Sequence, residues 1–126
     1  MRIFAVKGFL RFQRKEGIGD AALRKVALDL EAGLIGADLG RGLVKQRVAR
    51  SGQGKRGGYR TIIAYRAQYR AIFVFGFAKS SKANLDPVEL EGLARRGAVW
   101  LAASDLETDR ALVLDDLQEI GHGDDE

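Results

Sequence analysis

Residues 59–78 of the 126-residue chain read YRTIIAYRAQYRAIFVFGFA, and this stretch decides the fold. Residues 59–66 are rich in β-branched and aromatic types, which favour strands. Residues 67–69 fit a tight turn, and residues 70–78 form a nearly continuous apolar run. A strand that is apolar on both faces is typical of the centre of a sheet. We therefore predict an antiparallel hairpin whose second strand lies centrally in the sheet.

The segment before this hairpin also has the two-residue period of a strand. In residues 43–49, Lys45 and Arg47 point to one face of the strand. Val44 and Val48 point to the other face, which we expect to be the inner one. The sequence thus predicts three antiparallel strands, the first of which carries two basic side chains away from the core.

Local signals predict the elements on the N-terminal side. We expect a short strand over residues 2–6, a helix over residues 7–16, a second helix from the N-cap Asp20 to a stop at Gly33, a Gly-rich loop over residues 34–42 and a flexible basic loop over residues 50–58.

Two capping patterns predict helices on the C-terminal side. Asp86 precedes Pro87, which suits the first helical position, and Ser104 stands three residues before Glu107. The apolar stripes that these helices would bury are Leu90, Leu93, Ala94 and Leu101 in the first and Leu106, Val113 and Leu117 in the second. Residues 117–120 could instead extend as a strand.

Together these elements predict one α+β domain over residues 1–126. A small antiparallel or mixed sheet carries two N-terminal helices on one face. Residues 1–85 would form the core of the domain, and residues 86–126 an acidic, helical C-terminal segment.

Positive charge is concentrated in the middle of the chain. Residues 39–85 contain eleven Lys or Arg residues and no Asp or Glu, whereas residues 86–126 contain three Arg residues and twelve acids. Because a surface of one sign repels itself, this distribution favours a polyanionic partner. The acidic segment could also pack beside the basic one, neutralise it and weaken binding of such a partner.

Composition excludes several classes of protein. The chain has no Cys, which excludes disulfides, Cys-ligated zinc and a thiol nucleophile. Its one His is His122, so a Ser-His-Asp triad or a multi-His metal site is not expected. No apolar run approaches the roughly 20 residues of a membrane span, and the N-terminus has no apolar signal-peptide region. We therefore expect a cytoplasmic protein without a membrane partner.

Three local motifs resemble the RelE/ParE superfamily of type II toxins, in particular its RelE-like and HigB-like branch. They are Lys45-Gln46-Arg47 on one strand, Gly58-Tyr59-Arg60 at the start of the next, and the apolar strand that ends in Phe77-Ala78-Lys79 and continues to Asn84. The likeness covers roughly residues 2–90. It implies a RelE-like fold and a toxin that a cognate antitoxin, a small helix-turn-helix protein, keeps inactive.

The resemblance also implies an endoribonuclease that cleaves messenger RNA, often on the ribosome, without a metal or other cofactor. Attack by the RNA 2′-hydroxyl requires a proton acceptor, stabilisation of charge on the phosphate and protonation of the leaving oxygen. With the single His in the tail, Lys or Tyr would have to move protons, helped by neighbouring positive charge that lowers their pKa. Arg offers bidentate contacts to phosphate.

Matching the motifs assigns candidate roles. The catalytic candidates are Lys45, Arg47, Arg60 and Lys79, and the candidates for RNA or phosphate binding are Lys55, Arg56, Arg66, Lys82 and Tyr65. Arg60 is matched to transition-state phosphate binding, and either Lys45 or a nearby Tyr to the proton acceptor. In the best-known members the loop after the last strand carries a catalytic Arg, whereas here Ser80 stands near that place, and a Tyr just beyond it is missing.

The aromatic candidates have structural alternatives. Tyr59 and Tyr65 are in phase with Ile63, so both could be core residues. Tyr69 lies at the predicted turn and is expected to be exposed.

The basic candidates have alternatives too. Arg66 and Arg70 flank the turn and could form a solvated cross-strand pair, and Lys55 and Arg56 could serve only the solubility of a loop. Arg60 could bind the acidic C-terminal helices. At the level of function, the alternatives are a ParE-like toxin that inhibits DNA gyrase and a non-catalytic nucleic-acid-binding module.

Overall fold

A mixed sheet lies at the centre of the structure. The computed structural model describes residues 1–50, 54–79 and 84–121, with the backbone alone for residues 50 and 54–57. The described residues form the strands β1 (Arg2–Val6), β2 (Ala37–Gly40), β3 (Leu43–Arg50), β4 (Gly54–Arg66), β5 (Arg70–Ala78) and β6 (Leu117–Glu119). The helices of the same ranges are α1 (Lys7–Glu16), α2 (Asp20–Glu31), α3 (Pro87–Ala102) and α4 (Asp105–Val113).

The strand order is β2-β3-β4-β5-β1-β6, so the apolar strand β5 lies inside the sheet as predicted. β4 and β5 form the expected antiparallel hairpin, in which Arg66 pairs with Arg70. β1 runs parallel to β5 on its other side, and β6 pairs antiparallel with β1. The α+β fold class is confirmed, and the architecture is consistent with a RelE-like fold.

Helices cover both faces of the sheet, and each face has its own apolar core. On the face of α1 and α2, called here the α1–α2 face, the core includes Phe9, Leu23, Val26, Leu30, Val44, Val48, Tyr59, Ile63 and Phe73. On the face of α3 and α4, called the α3–α4 face, it includes Phe4, Leu43, Ile62, Ile72, Val74, Phe77, Leu93, Leu101 and Leu117. The helices α3 and α4 therefore lie across the sheet from α1 and α2.

The predicted helix starts in the C-terminal segment are confirmed. The Asp86 side chain accepts a hydrogen bond from the Glu89 backbone N–H at 2.8 Å, and the Glu89 carboxylate accepts one from the Asp86 N–H at 3.0 Å. Ser104 and Glu107 form the same reciprocal box at the start of α4. Upstream, Asp20 is the first residue of α2 rather than its N-cap, which is Gly19.

Two predicted loops are wrong in part. The Gly-rich stretch of residues 34–42 contains the short strand β2, because Ala37 pairs with Lys45 at the edge of the sheet. The basic loop predicted over residues 50–58 is shorter than expected, because β4 already begins at Gly54. Residues 51–53, and the tail from His122 onward, lie outside the described residues.

The predicted apolar stripe of the last helix is also wrong. Leu106 and Val113 are 68% and 81% exposed, while Thr108 and Ala111 face the sheet. Leu117 is buried, but it lies in β6, so the alternative of a strand near residues 117–120 is the correct one.

Arg70 corrects the prediction of a solvated pair at the turn. Its side chain is 2% exposed and donates hydrogen bonds to the Trp100 carbonyl oxygen at 3.0 Å and to Thr108 Oγ1 at 3.1 Å. The guanidinium also lies 3.7 Å from the Asp105 carboxylate. Arg70 thus holds the acidic C-terminal helices against the sheet.

We expect Gly97→Ala to destabilise the protein. A Cβ at Gly97 would lie 2.8 Å from Ala64 Cβ, so α3 would have to move away from β4. This overpacking costs about 1–3 kcal/mol, more than the helix-propensity gain of about 1 kcal/mol from Gly to Ala. Gly92→Ala, whose Cβ would meet only the flexible Arg96 side chain at 3.5 Å, is the control and should stabilise. Urea unfolding compares them, and equal midpoints would contradict the close packing.

Candidate nucleic-acid interface

Lys45 and Arg47 lie side by side on β3 and point to the α3–α4 face. The strand fixes this direction, because Val44 and Val48, which alternate with them, are buried in the core of the α1–α2 face. Lys45 is half-buried and Arg47 is exposed. The prediction that both cations share one face is confirmed.

Arg60 lies directly opposite Arg47 in the β3–β4 ladder, on the same face. Its side chain is 6% exposed, and its other strand neighbour is the buried Phe77 of β5. Burial, and secondly the positive charge of Arg47, lower the pKa of the Arg60 guanidinium below its ordinary value. Lys45, Arg47 and Arg60 form one group, called here the basic cluster, in which Arg47 is exposed and its cross-strand neighbour Arg60 is buried.

Asn84 is a polar neighbour of the basic cluster that the sequence analysis did not assign. Lys45 Nζ donates a hydrogen bond to Asn84 Oδ1, at 3.4 Å. Asn84 stands two residues before Asp86, the N-cap of α3, so the start of this helix positions the amide. The signal available in the sequence was an amide immediately before a strong helix start.

Buried hydrogen bonds hold β3 in place under the basic cluster. The Gln46 side chain is 5% exposed, accepts a hydrogen bond from the Gly36 backbone N–H and donates one to the Leu34 carbonyl oxygen at 3.0 Å. Thr61 Oγ1 donates to the Gln46 carbonyl oxygen at 3.1 Å. These groups face the α1–α2 side, and their hydrogen bonds anchor β3 to its neighbours. The basic side chains project from the other side of this anchored strand.

The structure describes the position of only some of the remaining basic candidates. Lys79 is exposed and follows Ala78, which pairs with Tyr59, so it lies at the same end of the sheet as Arg60. Lys55 belongs to β4, but its side chain is outside the described part of the chain, and the same holds for Arg56. Lys82 lies outside the described residues altogether.

Two binding candidates lie away from the basic cluster. Tyr65 belongs to the α1–α2 face, where its hydroxyl donates to the Leu30 carbonyl oxygen at 3.2 Å. Arg66 is at the far end of β4, about 20 Å along the strand from Arg60 at roughly 3.3 Å per residue, and lies 5.4 Å from the Tyr69 ring. The structure therefore does not bring Tyr65 or Arg66 together with the catalytic candidates.

None of the three tyrosines, which are all described, is beside the basic cluster. Tyr59 packs in the core of the α1–α2 face, where its hydroxyl donates to the Glu16 carbonyl oxygen at 3.4 Å. Tyr65 shares that face, and Tyr69 lies in the turn before β5. Of the two kinds of candidate proton acceptor that the sequence left open, only the Lys45 amine belongs to the basic cluster.

Two carboxylates of the acidic segment lie beside cations near the opposite edge of the sheet. Arg2 and Glu119 form a two-bond pair at 3.0 and 2.9 Å between β1 and β6, which raises the pKa of the Arg2 guanidinium. Asp105 lies near the buried Arg70. These carboxylates serve cations of β1 and β5, whereas the basic cluster lies on β3 and β4.

Chemically, the basic cluster suits a phosphate group. Paired guanidinium groups and an amine on one rigid surface can contact phosphate oxygens and offset charge that develops on them. Among the described residues there is no group of three or more His, Asp or Glu side chains that could hold a metal ion. Across the described ranges, every helix is too short or too polar to span a lipid bilayer.

The fold and this surface define a class of small α+β toxins with the RelE-like architecture. The family model described as the RelE toxin of the RelE / RelB toxin-antitoxin system matches residues 1–120. The chain therefore belongs to the RelE toxin family, and membership implies an antitoxin as its partner. No curated protein is similar enough to the chain to count as a match.

Proposed function

We propose that this toxin is a metal-independent endoribonuclease that cleaves messenger RNA on the ribosome at the basic cluster. The observation that carries the proposal is the pairing of Arg47 with Arg60, beside Lys45, on one face of a sheet. The stretch that holds all three, residues 39–85, contains no carboxylate. A phosphate ester is the ligand that such a surface recognises best.

The electrostatics support a role in stabilising a phosphate. Arg60 is buried and lies on the strand beside Arg47, and its burial and the charge of Arg47 lower the pKa of its guanidinium and disfavour its charge. A phosphate bound at Arg47 would offset this repulsion, and more strongly once negative charge builds up in the transition state.

The proposed reaction is attack of the RNA 2′-oxygen on the adjacent phosphorus, with release of the 5′-oxygen. Lys45 Nζ, oriented by Asn84, reacts as the neutral amine and accepts the 2′-hydroxyl proton to become the ammonium. Arg47 contacts the phosphate oxygens, and the positive charge of the neighbouring Arg60 stabilises the negative charge that develops on the phosphate. Lys79 donates a proton to the 5′-oxygen as its bond to phosphorus breaks. The products are a 2′,3′-cyclic phosphate and a 5′-hydroxyl.

The structure also favours a second candidate, non-catalytic binding of nucleic acid. Arg60 is only 6% exposed, and no tyrosine accompanies the basic cluster. A surface with one accessible arginine and one half-buried lysine could hold RNA without cutting it. In either case the antitoxin, which we infer to be a small helix-turn-helix protein, would have to suppress RNA binding at this face.

The test uses purified protein, ribosomes and messenger RNA, with a gyrase supercoiling assay in parallel. We expect cleavage, and weakening of RNA binding by Arg47→Gln with a salt slope shallower by about 0.7, the value for one phosphate on a single strand. Arg66→Gln removes the same charge at the distant turn and is the matched control. Intact RNA together with inhibited supercoiling would instead identify a gyrase toxin. Equal weakening of RNA binding in Arg47→Gln and Arg66→Gln would show that RNA does not bind at the basic cluster.

A further inference from the structure

A cavity of about 480 Å³ opens on the α3–α4 face, between the start of α1, strand β5 and the second half of α3. It is called here the α1–α3 cavity. Its volume lies within the range of small-ligand pockets, roughly 300–1,000 Å³. The residues that matter for its chemistry are Lys7, Arg11, Phe75, Arg96, Trp100 and Asp116.

Three cations surround this cavity. Lys7 and Arg11 come from α1 and Arg96 from α3, and all three are exposed. Within the described residues, none of the three side chains makes a hydrogen bond or an ion pair. Asp116 supplies the single carboxylate of the lining. An excess of uncommitted cations around a cavity favours an anionic ligand.

Two aromatic side chains form the apolar part of the wall. Phe75 and Trp100 are half-buried and pack against the core of the α3–α4 face, so each keeps one part in contact with the cavity. The Trp100 backbone is held by the buried Arg70, which donates to its carbonyl oxygen. Fixed aromatic groups beside cations are what an unpaired nucleobase with its phosphate requires.

The cavity lies on the same face of the sheet as the basic cluster. Phe75 and Phe77 lie on the same face with ring centroids 5.9 Å apart, and Phe77 pairs with Arg60. A register shift in β5 turns Val74 and Phe75 both toward the α3–α4 face. Such bulges re-aim side chains next to functional sites. Phe77 lies two residues, about 7 Å, along β5 from Phe75, and Arg60 lies on the adjacent strand, about 5 Å further across the sheet.

We propose that the α1–α3 cavity is a nucleotide-binding subsite, in which Phe75 and Trp100 stack on one base of an RNA strand and Lys7, Arg11 and Arg96 hold its phosphate. This subsite rests on the proposed function, because the same strand would pass over the basic cluster. It would set which nucleotide beside the cleaved bond the toxin tolerates.

Trp100 is the single tryptophan of the chain, so its fluorescence reports on this cavity directly. The probe is a 2′-O-methyl RNA hexamer, which lacks the attacking hydroxyl and cannot be cleaved. We expect the hexamer to quench Trp100 emission with saturation. In the double variant Arg11→Gln/Arg96→Gln, binding should be about tenfold weaker and the salt slope shallower by about 1.4, the value for two phosphate contacts.

The matched control is Arg14→Gln/Arg95→Gln, which removes two charges from the same helices outside the cavity. Arg95 is exposed and pairs with Glu91 at 2.8 Å, and Arg14 is exposed on α1. The control should bind within about threefold of the parent chain. Equal weakening in both double variants, or hexamer binding seen by anisotropy without any change in Trp100 emission, would overturn the subsite.

The same titration separates the subsite from the proposed activity. If the hexamer quenches Trp100 and the cavity variants weaken it, but messenger RNA stays intact on ribosomes, the subsite stands and the nuclease proposal fails. If messenger RNA is cleaved at the same rate and the same positions by parent and cavity variants, the subsite fails and the nuclease proposal stands.

Discussion

Arg60→Met is expected to reduce cleavage of messenger RNA by about 100-fold to 1,000-fold, the loss typical of removing one group that stabilises charge in a transition state. Methionine keeps the length of the buried side chain but removes the positive charge beside Arg47, so the phosphate loses this stabilisation. The measurement is the rate of cleavage with purified ribosomes, followed by primer extension on a defined message.

The variant should stay folded, which separates a functional effect from unfolding. Burial and the neighbouring Arg47 already disfavour the charge of Arg60, as its lowered pKa shows. Removing that charge therefore also removes an unfavourable interaction of the native state. Circular dichroism and a thermal midpoint close to that of the parent chain would document this. Arg60→Lys, which keeps a charge without the planar fork, should retain intermediate activity.

The prediction has a clear contrary result. Cleavage by Arg60→Met within about threefold of the parent rate would remove Arg60 from the proposed mechanism. Loss of RNA binding in Arg47→Gln, with cleavage absent in the parent as well, would instead favour the non-catalytic binding module.

Arg70→Ala is expected to lower the free energy of unfolding by about 3 kcal/mol, as large-to-small changes in a core do. The guanidinium lies 4.5 Å from the ring centroid of Tyr69 and 5.6 Å from that of Phe4, and these contacts would be lost. The hydroxyl of the buried Thr108 would lose its donor, and so would the carbonyl oxygen of Trp100. The 3.7 Å approach to Asp105 adds little, since that carboxylate is 87% exposed.

A comparison with Arg70→Met isolates the polar part of this effect. Arg70 Nε is buried without a hydrogen-bond partner among the described residues, which costs the native state about 1–3 kcal/mol. Methionine fills much of the same space and removes this unsatisfied donor. We therefore expect its stability to lie between those of the alanine variant and the parent.

The measurement is urea unfolding with equal slopes in all variants. Arg66→Ala, at the exposed cross-strand neighbour, is the control and should change stability by less than about 0.5 kcal/mol. An Arg70→Ala variant as stable as this control would show that α4 does not depend on Arg70.

Much of the fold could be predicted because its signals are local. The apolar run of β5 indicates burial on both faces wherever the strand lies, and the boxes at Asp86 and Ser104 are complete within four residues. β2 could not be predicted, because its four residues become a strand only by pairing with β3. The spacing of Leu106 and Val113 marks an apolar stripe but not whether another element covers it.

The candidate site was predictable within each strand but not between strands. The shared direction of Lys45 and Arg47 follows from the two-residue period alone. Their position beside Arg60 depends on the register of β3 against β4. A slip of one residue in this register would turn Arg60 to the opposite face of the sheet. Charge alone could not distinguish Arg60 from Arg66, because both lie on β4 and only their distance along it separates them.

The place of β1 in the sheet has a consequence for the synthesis of the toxin. This first strand lies between β5 and β6, and its Arg2 bonds to Glu119, 117 residues away along the chain. The sheet can therefore close only after translation has delivered the last strand, and closure of so long a loop is entropically slow. A nascent chain that has not yet reached β6 lacks this edge of the sheet and the Arg2–Glu119 pair.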